Sequence, residues 1–246
     1  MSEQVEVQAP STSSPDPKAR RYGRLGKRGS PSKLVYRVVR DVLVAFARTY
    51  LRLRVEGTEH LPKQGSYVVA PVHRSYLDFF LVSAIRRPRM RYMGKDTLWR
   101  VHPAVSWFMD ALGGYGVARG ASADREALKT TIDVVQEGLE PVVLFPEGSR
   151  QSGPVIQPLY DGVAYVATRC QVPIIPVGIG GSEQAMPKGA RFPRPHKVRV
   201  LIGPPMQPAP LNESGRVSRR GVKELSEQLT VELQRVFDEA QRRAGA

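Results

Sequence analysis

The 246-residue sequence contains a single cysteine, Cys170. That excludes an internal disulfide framework and a cysteine-built zinc site, and it suits a reducing compartment. Cys170 falls between an apolar helical segment and an apolar strand, where a lone thiol packs as a small hydrophobe. Acidic residues are scarce as well: 23 Asp and Glu stand against 37 Lys and Arg, a formal net charge of +14. Such an excess requires an anionic partner, whether nucleic acid, acidic lipid or a phosphorylated substrate. Long hydrophobic runs are missing. The best stretch, residues 34–53, is interrupted by Arg37, Arg40, Asp41, Arg48 and Arg52, and nothing approaches the ~18 uncharged apolar residues of a membrane-spanning helix. The Ser/Pro/Glu-rich N-terminus lacks an apolar secretory core. A cytoplasmic protein, in solution or peripheral on the inner face of a membrane, is expected.

What is present is unevenly distributed. Between Lys18 and Arg54 there are 12 Lys and Arg against Asp41 alone. Residues 1–32 are poor in hydrophobics and rich in Ser, Pro, Gly, Lys and Arg, so a disordered basic tail is expected. Residues 33–54 read as an amphipathic helix. Val35, Val38, Val39, Val42, Phe46, Tyr50 and Leu53 fall near one face, with Arg37, Arg40, Arg48 and Arg52 off it. Such a helix either docks on an anionic membrane surface or packs on the domain that follows.

Residues 55–246 read as one domain in which strands alternate with helices. Buried strands are predicted at residues 67–70, 142–145, 174–179 and 198–202, and weaker ones at 52–56, 91–93 and 115–117. Helices are predicted at residues 76–85, 101–112, 124–137, 161–170 and 216–243. This alternation predicts an α/β fold, a mainly parallel central sheet flanked by helices. In such sheets ligands bind at the carboxyl ends of the strands.

Two segments there carry chemistry. His73 ends one strand and Asp78 opens the next helix, an H-x4-D spacing. The carboxylate can fold back onto Nδ1 and leave Nε2 as a base that activates a hydroxyl. The second segment is Leu144-Phe145-Pro146-Glu147-Gly148-Ser149-Arg150, which turns sharply after a strand. The Arg150 fork suits phosphate. Glu147 either accepts from a substrate hydroxyl or braces an arginine. Lys95 and Arg119 each follow a short strand and would face anions at the same edge. Val172-Pro173-Ile174-Ile175-Pro176-Val177 is an apolar strand that shapes an acyl-chain wall or a sheet edge. No G-x-S-x-G elbow is present. His60, His73, His102 and His196 show no paired metal-ligand spacing, so neither a metal nor a cofactor is expected.

H-x4-D, the Lys95 segment, the Gly-rich segment ending in Arg119, FPEGSR and VPIIPV, in that order, resemble the PlsC-like glycerophospholipid acyltransferase family of the 1-acylglycerol-3-phosphate O-acyltransferase type. The resemblance covers roughly residues 55–205. It implies that His73 is the general base and Asp78 its orienting carboxylate. It further implies that Lys95, Arg119, Glu147, Gly148, Ser149 and Arg150 bind the phosphate and glycerol of the acceptor. Acyl-CoA or an acyl carrier protein would be the donor, a lysophosphatidate-like molecule the acceptor. Three positions depart from the family's pattern. Ala118 stands where an acid is usual, Ser149 where Thr is commoner, and Tyr160-Asp161-Gly162 where basic residues often precede the Gly. The last leaves glycerol 3-phosphate and lysophospholipids open as acceptors. Thioester or lipid hydrolysis is a second enzymatic alternative. A polyanion-binding protein is the alternative from another class, although no RNP-like aromatic motif or zinc-finger spacing is present.

Overall fold

Seven strands line up in one sheet with helices against both faces. The computed structural model describes residues 33–85, 89–95, 102–111, 113–117, 123–137 and 140–246. The expected tail over residues 1–32 and Arg119 lie outside them. The chain runs α1 (Lys33–Tyr50), β1 (Arg54–Glu56), a 3-10 turn (Thr58–His60), β2 (Val68–Pro71), α2 (Asp78–Ser83), β3 (Arg91–Lys95), α3 (Pro103–Ala111), β4 (Gly114–Val117), α4 (Ala123–Glu137), β5 (Val142–Val143), α5 (Gly162–Cys170), β6 (Ile174–Gly180), α6 (Ser182–Ala185), β7 (Arg199–Ile202) and α7 (Arg219–Ala244). The strand order is β1-β7-β6-β2-β5-β3-β4. Every pairing is parallel except β6 with β7. This is the α/β architecture that the alternation predicts.

The central strands bury both faces, which is why they read as continuous apolar runs rather than alternating ones. Successive side chains still divide between the layers. Val69, Val143, Ile175, Val177 and Ile179 join one core with Val44 and Ala47 of α1, Leu51 just after it, and Leu81 and Val82 of α2. Val68, Ala70, Val142, Leu144 and Ile174 join the other with Val163, Val166 and Ala167 of α5. Helix α7 contributes to both, through Leu233, Val236 and Phe237 on one side and Val222, Leu225 and Leu229 on the other. It lies directly on the backbone of β6. A Cβ at Gly178 would come within 2.2 Å of Val236 O, and one at Gly180 within 2.2 Å of Ala240 O.

Strand β6 is interior, so the sheet-edge reading of Val172 to Val177 is corrected. Pro176 is tolerated there because the β6–β7 ladder starts only at Val177. Ile174 and Pro176 turn their backbone groups toward residues 203–206: Ile174 N donates to Met206 O (2.9 Å), and Gly203 N to Pro176 O (2.9 Å). The missing proline N–H therefore falls where the ladder has already opened.

Helix α1 carries apolar side chains on two faces. Tyr36, Arg40, Val44, Ala47 and Leu51 face inward. Val38, Val42, Phe46 and Tyr50, four of the residues read as one apolar face, are exposed. Arg40, expected off the apolar face, is buried, and its Nε donates to Ser83 O (3.0 Å) at the last turn of α2. A helix C-terminus has free carbonyls and favours a cation.

Candidate active site

Strands β2 and β5 are parallel neighbours, so the turns that follow them leave the sheet side by side. The turn after β2 carries His73, Arg74 and Ser75; the turn after β5 carries Glu147 to Arg150. Gln151 N donates to His73 O (2.8 Å) and ties the two together.

The H-x4-D spacing closes a compact turn. Asp78 Oδ2 accepts from His73 Nδ1 at 2.9 Å, from Arg74 N at 2.7 Å and from Ser75 N at 2.7 Å. Asp78 opens α2, and its carboxylate reaches back to N–H groups that precede the helix, much as the acid of a capping box does. Asp78 is fully buried and His73 is 8% exposed. With Nδ1–H donating to the carboxylate, Nε2 is the nitrogen that can accept a proton. The imidazole is held between aromatic rings. Phe145 lies 4.2 Å away, tilted by 30°, and Phe79 meets it edge-on at 5.5 Å.

Glu147 does not lie open to a ligand. It is 2% exposed, and its carboxylate pairs with Arg74 Nη1 at 2.8 Å to both oxygens. Oε2 also accepts from His73 N (3.1 Å) and Oε1 from Gln157 N (3.3 Å). Of the two roles that its sequence left open, the geometry matches the bracing of an arginine. Arg74 is 1% exposed. Its Nε donates to Gly153 O (3.1 Å), Nη2 to Val155 O (3.1 Å) and Nη1 to His73 O (3.2 Å), and its Cζ lies 4.8 Å from the Phe237 ring centroid. One guanidinium thus joins the turn after β2, the loop after β5 and α7. Gln234 of α7 extends that support, accepting from Ile156 N (2.8 Å) and donating to Pro154 O (2.9 Å).

Arg150 sits at the mouth of this arrangement. Its Cζ lies 3.4 Å from the ring centroid of half-exposed Tyr76, a cation–π contact that holds the fork flat. Gly148 adopts a φ of +67°, and a Cβ there would strike Tyr160 at 2.7 Å. Ser149 is exposed, its Oγ accepting from Gln151 Nε2 (3.1 Å). Tyr160 covers Gly148 and is itself 71% exposed. Asp161, beside it, accepts from Ser226 Oγ (2.7 Å) and so belongs to the packing of α5 on α7. Lys95 closes β3 at the same carboxyl edge, since β3 runs parallel to β5.

Three residues beside His73 were missed in the sequence: Arg74, Ser75 and Tyr76. Ser75 is fully buried, and its Oγ donates to Met186 O (2.8 Å). A signal for Arg74 existed. A charge inside a run that is otherwise buried needs a partner, and Glu147 was the acid in an equally apolar turn. Among the described residues, no group of three or more His, Cys, Asp or Glu is arranged to hold a metal ion. Cys170 lies away from this edge, at the end of α5, and partial burial pushes its thiol pKa up.

His73, paired with the buried carboxylate of Asp78, thus stands at the carboxyl edge of a parallel sheet with the partly buried Arg150 on the neighbouring turn. The acyltransferase family profile matches residues 52–180, and the chain belongs to that family. Its relatives are more specific. It is 26% identical over 160 residues to a chloroplastic 1-acyl-sn-glycerol-3-phosphate acyltransferase of Brassica napus, covering 64% of this chain and 46% of that one. It is 28% identical over 161 residues to the mouse 1-acyl-sn-glycerol-3-phosphate acyltransferase alpha, covering 63% and 55%. The chain spans about half the length of the curated relatives it matches. The crystal structure of PlsC from Thermotoga maritima, a 1-acyl-sn-glycerophosphate acyltransferase, is similar with a TM-score of 0.65 and 25% identity, covering 90% of this chain and 87% of that one.

Proposed function

We propose that this protein transfers a fatty acyl group from a thioester, acyl-CoA or acyl carrier protein, to a hydroxyl of 1-acyl-sn-glycerol 3-phosphate, giving phosphatidic acid. The observation that carries this reading is the His73–Asp78 pair beside Arg150. His73 Nε2 takes the proton of the acceptor hydroxyl as its oxygen attacks the thioester carbonyl. The C–O bond forms, the C–S bond breaks, and the departing thiolate receives a proton. Asp78 keeps Nδ1 protonated and stabilises the imidazolium; proton transfer by a base so placed contributes about 10²–10⁴-fold. Arg150, held against Tyr76, grips the acceptor phosphate, together with Lys95, Arg119, Gly148 and Ser149. Glu147 acts through Arg74 and the His73 amide by holding the base in place, so it is a positioning residue. Much of the rate then comes from orienting the acceptor.

Tyr160 supports a second acceptor class. An exposed aromatic ring, rather than a cation, lines the Gly148 turn, which suits a lysophospholipid whose phosphate carries a further headgroup. Glycerol 3-phosphate is the smaller alternative. A panel of these acceptors with one acyl-CoA, read by product mass, decides between them. His73→Ala should abolish acceptor-dependent release of CoA while the protein stays folded. Near-normal turnover of that variant would remove His73 as base. CoA release independent of acceptor would make the protein a thioesterase instead.

The acceptor and product are lipids, and a peripheral position on an anionic membrane follows from the same reading. No helix among the described residues is long and apolar enough to cross a membrane. Helix α1 instead exposes Leu34, Val38, Val42, Phe46 and Tyr50 at four-residue intervals, an outer stripe about 24 Å long at 1.5 Å per residue. Arg37 and Arg48 flank it. Such a stripe suits burial among acyl chains with arginines at headgroup level.

A further inference from the structure

We propose that the segment Pro187–Pro195 is a second membrane contact, which inserts Phe192 into an anionic leaflet beside the entrance to the active site. The proposal rests on the membrane reading of α1 and adds a point of attachment that the helix does not contain.

Phe192 is 80% exposed, more than any other large hydrophobic side chain among the described residues. A phenyl ring gains little from water and much from an acyl-chain boundary. Its neighbours are cationic and exposed: Lys188, Arg191, Arg194 and Lys197. The sequence contains no Asp or Glu from Gln184 to Asn212. An apolar tip flanked along the chain by exposed cations and by no acid is complementary to anionic lipid.

The segment is continuous with the stripe on α1. Tyr50 Oη donates to Pro193 O (3.2 Å), and the Tyr50 ring stacks on Phe46 at 5.1 Å. It is continuous with the catalytic turn as well. Met186, immediately before it, accepts from Ser75 Oγ, and Arg194 N donates to Ala185 O (2.7 Å). Insertion at Phe192 therefore fixes the bilayer relative to His73, not merely relative to α1. A lipid acceptor then reaches the base without leaving the interface.

The test uses the full chain and sedimentation with vesicles of phosphatidylcholine alone or mixed with phosphatidylglycerol. Phe192→Ser should lower partition onto the mixed vesicles by about tenfold, with an unchanged thermal midpoint. The pair Arg191→Gln and Arg194→Gln should lower it by about fivefold per charge. Phe46→Ser reports on the helix separately. In a Cys170→Ser background, Phe192→Cys carrying a polarity-sensitive dye should shift to the blue on mixed vesicles. If Phe46→Ser weakens binding while Phe192→Ser does not, the second contact is wrong and the helix reading survives. If the parent ignores anionic vesicles, both fall. Loss with the arginine variants but none with Phe192→Ser leaves an electrostatic patch and removes insertion. A Phe192-dependent dimer in gel filtration, with no vesicle effect, would show that a second copy covers this tip.

Discussion

Arg74→Met tests whether the base is held by a buried ion pair. The wild-type guanidinium meets both oxygens of Glu147 at 2.8 Å and three backbone carbonyls, and it is 1% exposed. The methionine fills part of the volume but leaves a buried carboxylate with two backbone donors, His73 N and Gln157 N. Removing one partner of a buried pair costs about 3–5 kcal/mol. Domains of ordinary stability have roughly 5–15 kcal/mol, so a domain in the middle of that range stays folded at 25 °C after the loss and can be assayed. Urea unfolding should show a lower midpoint with an unchanged slope. Because the orphaned carboxylate is what costs most, Arg74→Met with Glu147→Gln should be less destabilised than the two single losses added together. Turnover should fall more than acceptor affinity. His73 N is anchored by Glu147, and a base displaced by about 1 Å loses on the order of a hundredfold in rate. A variant within about 1 kcal/mol of the parent, with full turnover, would refute the idea that this pair holds the base.

Other outcomes follow from single contacts. Tyr76→Leu removes the ring under Arg150 and should raise KM for a phosphorylated acceptor while leaving KM for acyl-CoA unchanged; initial rates against each substrate check this. Gly148→Ala puts a Cβ at positive φ against Tyr160, a backbone cost of about 1–2 kcal/mol, and should depress turnover more than it depresses the thermal midpoint. Cys170, its thiol pKa raised chiefly by burial and only partly offset by Arg169, should alkylate with iodoacetamide more slowly at neutral pH than an unstructured peptide thiol. Its reactivity should climb only at higher pH. A rate equal to that of the peptide would contradict the burial.

The strands and the turn from His73 to Asp78 were legible for local reasons. Apolar runs bounded by Gly and Pro mark strands buried on both faces. His73 and Asp78 lie five residues apart, so their contact closes within one turn and one helix start. Helix α1 was less legible because it carries two apolar faces. Hydrophobicity does not say which of them meets the core, and Arg40 went inward only because the end of α2 offered Ser83 O. Arg74 and Glu147 lie 73 residues apart. No spacing rule connects them, and they meet because β2 and β5 are parallel neighbours that release their turns at one edge. The sequence by itself determined the α/β class, the close pairing of His73 with Asp78 and the family. Tertiary structure decided that Glu147 is buried against Arg74, and which side of α1 and which loop tip stay bare. Those outcomes depend on which segments become neighbours in the sheet, and on which charges then find partners once water is excluded.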